Sequence, residues 1–164
     1  MSKMIDQLIL ALRKEQEIYD EIILLAKEKQ AAIVNNNLTE IQRIMEKEKT
    51  YSISLVKLEQ IRAKMLSGLV KEYNLVEINA LTDLYPFMSD HEVRNIDGIR
   101  TKLVNTVKIL SQKNDLNRQL LEQSIEQIQF DLNLMTTVGE GNVNYEHDAN
   151  DMDVERKSIF DRKI

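Results

Sequence analysis

Apolar side chains recur at steps of three and four along most of the first 135 residues, the spacing that turns one face of a helix toward a core. Ile5, Leu8, Ile9, Leu12, Tyr19, Ile22, Ile23, Ala26 and Ile33 predict a first helix over about residues 4–34. Glu15 falls on this stripe where a hydrophobe is expected, as a paired or solvated polar break. Asn35-Asn36-Asn37 supplies a turn, because Asn tolerates left-handed backbone and caps helices. Leu38, Ile41, Met45, Tyr51, Leu55, Leu58, Met65 and Leu69 predict a second helix over about 38–73, opened by a capping box of Asn37 and Glu40. Glu48 and Arg62 lie at near-heptad positions on its apolar face, placed to pair with neighbouring helices. The short turn makes an antiparallel αα-hairpin the default.

The pattern breaks between Tyr73 and Ser89. Leu75, Ile78, Leu81 and Leu84 predict a short helix over about 76–84, packed across the end of the hairpin and ended by Tyr85-Pro86. Ser89 and Glu92 form a second capping box, and beyond it Gly98 alone interrupts a helical pattern of more than forty residues. One long helix over about 89–137 follows, roughly 70 Å in length. Advancing about 100° per residue, its Ile96, Ile99, Leu103, Val107, Leu110, Leu121, Ile125, Ile128, Leu132 and Met135 project within about 80° of one another. Asn114 and Asn117 interrupt that stripe. Ile109, Leu116, Leu120, Phe130 and Leu134 form a second group on the opposite side, confined to the C-terminal half. That half therefore offers apolar surface to two partners, and part of the helix projects past the hairpin. The second face packs on this chain, on a copy of itself, or on a partner helix as a docking groove.

The fold these patterns predict is all-α: an extended antiparallel three-helix bundle, coiled-coil-like in section, with one short connecting helix. It occupies residues 1–138. Residues 139–164 hold seven acids against four bases and few hydrophobes, and are expected to be a disordered acidic tail. Within the tail, Ile159, Phe160 and Asp161 belong to a short segment that restores apolar side chains and is a candidate docking peptide.

Composition narrows the function. The 164 residues carry 22 basic and 27 acidic side chains, a net charge of −5, so nothing favours nucleic acid or an anionic membrane as partner. No apolar run approaches the length of a membrane span and no signal-peptide pattern opens the chain, so a cytoplasmic, soluble protein is expected. The absence of Cys removes disulfides, thiolate chemistry and Cys-based zinc sites. His91 and His147 each lack a second His at helical spacing, and Asp148 to Glu155 lacks the central Gly and terminal Glu of a calcium loop. Neither a phosphate-cradling Gly-rich loop nor a nucleophile elbow is present. No enzyme, cofactor, metal or small-molecule substrate is expected.

One stretch carries a resemblance. Asn117-Arg118-Gln119-Leu120-Leu121-Glu122-Gln123-Ser124-Ile125, followed by Phe130-Asp131-Leu132-Asn133-Leu134, resembles the Asn-Arg-x-Leu-Leu-x-x-Ser-Leu and Phe-x-Leu-x-Leu pattern of the FlgN family. Tyr19, Lys29, Asn37, Leu38, the Leu58-Glu59-x-x-Arg62 segment and the Ser158-x-Phe160-Asp161 ending agree with the same family. Two features depart from it: Val138-Gly139-Glu140-Gly141 stands where a Tyr-Gly pair is common, and the acidic run from Glu146 to Glu155 is additional. The resemblance implies a flagellar type III export chaperone. It would bind the C-terminal helical segment of the hook-associated proteins FlgK and FlgL and deliver them to the export gate. On this reading Ile109, Leu116, Asn117, Leu120, Leu121, Ser124, Ile128, Phe130 and Leu134 form the partner-binding face, with Asn114 and Asn117 limiting self-association. The competing structural reading is a self-associating scaffold or adaptor whose second face is a homodimer seam.

Overall fold

The computed structural model describes residues 3–137. Three long helices carry it: α1 (Lys3–Val34), α2 (Leu38–Glu72) and α3 (Asp90–Thr137), with a short 3-10 helix at Leu81–Phe87 before α3. No strand occurs among the described residues. α1 packs along both α2 and α3, which do not approach each other comparably. α1 can be the central helix because small side chains, Ala11, Ala26 and Ala32, share its buried surface with Ile5, Leu8, Leu12, Ile22 and Ile33. Neighbouring backbones can come close over Ala while the larger residues interlock.

Four polar contacts fix the register. The Glu15 carboxylate accepts from the Arg62 guanidinium at 2.7 Å, and Lys29 donates to Glu48 at 3.1 Å. Climbing α1 from Glu15 to Lys29 descends α2 from Arg62 to Glu48 by the same fourteen residues, two heptads of an antiparallel coiled coil. α3 runs parallel to α1: the Gln16 side-chain amide donates to the Thr106 hydroxyl at 2.8 Å, and that of Asn117 to the Ala26 carbonyl at 2.9 Å. Glu15, Glu48 and Arg62 are thus paired seam residues, with Glu15 and Lys29 buried.

Asn controls both ends of the hairpin. Asn36 adopts φ 52° and closes α1: its N–H donates to Ile33 O at 3.1 Å, and that of Asn37 to Ala32 O at 2.8 Å. This is a Schellman motif with Asn in place of Gly. Asn74, at φ 54°, closes α2 the same way through bonds to Lys71 O and from Leu75 N to Val70 O. The capping box expected at α2 forms only by half. Asn37 Oδ1 accepts from Glu40 N at 3.2 Å, but the Glu40 carboxylate turns to Arg43, which also reaches Glu28. That guanidinium holds Glu40 below the usual carboxylate range. The box at α3 is complete: Ser89 Oγ accepts from Glu92 N, and Glu92 Oε2 accepts from Ser89 N at 2.8 Å and from its hydroxyl at 2.9 Å. These bonds depress the Glu92 pKa despite its burial.

The short connecting helix differs from the expected span of 76–84. It begins after Ala80, where the Asp83 carboxylate accepts from the N–H groups of Asn79 and Ala80, and it continues through Pro86 to Phe87. Pro86 does not end it because the φ that Pro imposes lies within the 3-10 range. Leu84 is fully buried beneath the hairpin, in one cluster with Ile5, Leu8, Leu12, Leu69, Ile96 and Leu103. Tyr73 and Phe87 stack with ring centroids 5.2 Å apart beside it.

Candidate partner-binding surface

The apolar stripe of α3 meets two different fates. Ile96, Leu103 and Leu110 are fully buried against α1 and α2. Farther along the same face Leu121, Ile125, Ile128, Leu132 and Met135 are exposed. The cause is length. α3 has 48 residues and α1 only 32, and the Asn117–Ala26 bond places the last residue of α1 level with about residue 125 of α3. Ile125 to Thr137 therefore reach past the hairpin, a projection of roughly 20 Å. Among the described residues its seam has no partner helix.

The second group follows the same division. Ile109 and Leu116 are exposed on the outer side of α3, and Phe130 (58%) and Leu134 (52%) are exposed on the projection. Leu120 is half-buried against the hairpin cluster of Leu25, Ile33, Ile41 and Ile44. Ser124 is half-buried beside it. Where α3 leaves the hairpin, Ile33, Val34, Leu120, Ser124 and Ile128 line an open notch of about 260 Å³. Of the residues expected on the partner face, Leu121, Ser124 and Ile128 thus adjoin this notch or the bare seam. Ile109, Leu116, Phe130 and Leu134 lie on the opposite flank.

Asn117 is the exception. It is 4% exposed and bonded to α1, so it belongs to the bundle interior and not to an open partner face. The sequence placed it on the apolar stripe, and at that level the stripe still faces α1. Ile125, Leu132 and Met135, which periodicity placed on the same stripe as the core residues of α3, are open. The difference in helix length, legible in the sequence, was the signal for them. Ile159, Phe160 and Asp161 lie outside the described residues.

The projection is acidic as well as apolar. Glu126 and Asp131 are its charged residues, Glu122 lies one turn before it, and no Lys or Arg occurs from Gln119 to Thr137. Among the described residues no group of three or more His, Cys, Asp or Glu is placed to hold a metal ion. No helix among them is long and apolar enough to cross a membrane. What such a surface offers is the burial of apolar area against another amphipathic element.

A family model described as FlgN protein matches residues 1–151, a span that takes in the whole bundle and the projection. The chain belongs to the FlgN family. Its members are flagellar export chaperones that bind hook-associated proteins. No curated protein and no solved structure matches the chain significantly.

Proposed function

We propose that this FlgN-family chain works in the cytoplasm, where it holds the C-terminal helical segment of the hook-filament junction proteins FlgK and FlgL. It prevents their premature association and delivers them to the flagellar export gate. The observation that carries the reading is the continuation of the α3 seam past the end of the hairpin, without a partner helix among the described residues. A client helix laid along Leu121 to Met135 would supply the partner that α1 supplies lower down. Five side chains now about half exposed would each contribute about 1 kcal/mol on complete burial. Ordering the client segment opposes a good part of this gain, which leaves a complex that can form in the cell and still release at the gate.

A calorimetric titration with the C-terminal helical peptide of a junction protein from the same organism tests the proposal. The expected result is saturable one-to-one binding with a negative heat-capacity change. Ile128→Glu and Leu132→Glu, both on the bare seam, should each weaken it at least about tenfold. Both residues lie on the projection, so circular dichroism should show unchanged helix content in both variants. Absence of binding by a chain that sediments as a dimer would assign the surface to self-association.

A further inference from the structure

The bare end of α3 selects its occupant by charge as well as by apolarity. Glu122 and Asp131 flank the seam on its two sides, so two copies of this chain meeting there would oppose these acids of one to those of the other, with no base from Gln119 to Thr137 to compensate. The surface fits an apolar segment that carries positive charge. The chain contains one. All four bases beyond Thr137 fall within residues 156–164, as Arg156, Lys157, Arg162 and Lys163, around the apolar Ile159, Phe160 and Ile164. Asp161 is the single acid among those nine residues.

We propose that residues 156–164 dock on the bare seam of α3 between Leu121 and Met135 when no client is bound, and leave it when one arrives. The competition with client rests on the proposed function above; the contact itself does not. Ile159 and Phe160 would enter the notch and seam, and the flanking bases would face Glu122 and Asp131. The connection is long enough. Residues 138–155 number eighteen and extend to about 60 Å, whereas the seam is roughly 20 Å long. This connector holds six acids and no Lys or Arg, so the acidic helix end repels it and it acts as a spacer rather than a rival occupant. A peptide tethered in this way acts at an effective concentration on the order of 1 mM. If its own dissociation constant is about 0.2 mM, it holds the seam closed about five-sixths of the time and weakens client binding about sixfold.

Because the chain has no Cys, Ser158→Cys creates a unique site for a nitroxide label in the full-length protein. The expected result is paramagnetic broadening of α3 amide signals from Leu121 to Met135, with those of Ile96 to Leu110 unaffected. Adding Phe160→Glu with Lys163→Glu should abolish the broadening and tighten the client peptide about sixfold in the titration. Absence of broadening in the labelled protein would overturn the contact, whatever the client result. So would broadening that appears only on isotopically enriched, unlabelled molecules mixed with labelled ones, which would assign the segment to a second copy. If broadening occurs but no client peptide binds, the contact stands and the proposed function fails. If client binds with equal affinity in both backgrounds, the competition is overturned.

Discussion

Glu15 is held in a seam that would ordinarily be apolar, 2.7 Å from Arg62 and almost without contact with water. Burial pushes its pKa up, and Glu59 adds to the rise, while Arg62 pulls the other way without cancelling it. A carboxylate whose folded pKa is raised contributes stability below its unfolded pKa and loses that stability as pH rises through the folded value. The wild-type chain should therefore gain stability through this group as pH falls from 7 toward 5. Removing only the cation leaves a buried, uncompensated charge. Arg62→Leu should cost about 3 kcal/mol at pH 7 in urea unfolding, and more of that loss should be recovered at pH 5 than the wild type gains. Replacing both partners, Glu15→Leu with Arg62→Leu, should return stability to near the wild-type value, because an apolar pair of similar volume avoids the desolvation of both charges. The ion pair on this account selects a register rather than raising stability. A double variant as unstable as Arg62→Leu would contradict it.

The helices owe their limits to a few side chains with local duties. Ser89 and Glu92 start α3, while Asn36 and Asn74, both in the left-handed region, stop α1 and α2. Inside α3 Gly98 has no such duty: a Cβ built there would meet nothing within 4 Å. Gly98→Ala should stabilise the chain by about 0.5–1 kcal/mol, seen as a rise in Tm of roughly 2–4 °C, since it removes only unfolded-state freedom. Gly68 in α2 is the internal control. A Cβ there would lie 2.6 Å from Met4 Sδ, so Met4 must shift and Gly68→Ala should raise Tm less than Gly98→Ala does. Equal rises would mean that the Met4 contact carries no weight. Periodicity located the three long helices because each is amphipathic over many turns. It misplaced the short helix because that start depends on one Asp83 carboxylate and two N–H groups, which leave no periodic trace. The family resemblance treated Asn117 as an open-face residue, because a buried Asn bonded to a carbonyl on another helix has the same sequence signature as a solvated one.

The unequal lengths of α1 and α3 divide the molecule into a part stabilised by tertiary packing and a part that is not. Below about residue 120, α3 is held by Ile96, Leu103 and Leu110 at zero exposure, by the bond that Asn117 donates to Ala26 O and by the one that Thr106 accepts from Gln16. From Ile125 to Thr137 every side chain is exposed, so only intrahelical hydrogen bonds and intrinsic propensity favour the helix. A thirteen-residue segment on its own is a marginal helix, although here the bundle supplies its nucleus. Amides of Ile125 to Thr137 should exchange with solvent through local opening that costs at most about 1–2 kcal/mol, while those of Ile96 to Leu110 exchange through opening close to global unfolding. A saturating client peptide should slow the first group at least about tenfold and leave the second nearly unchanged, because only the first gains a packing partner. Protection of the projection as strong as that of the bundle in client-free protein would show its seam already covered. The same measurement on the Phe160→Glu, Lys163→Glu protein would then separate the occupants. Protection that disappears in that variant belongs to residues 156–164, and protection that remains but falls on dilution belongs to a second copy.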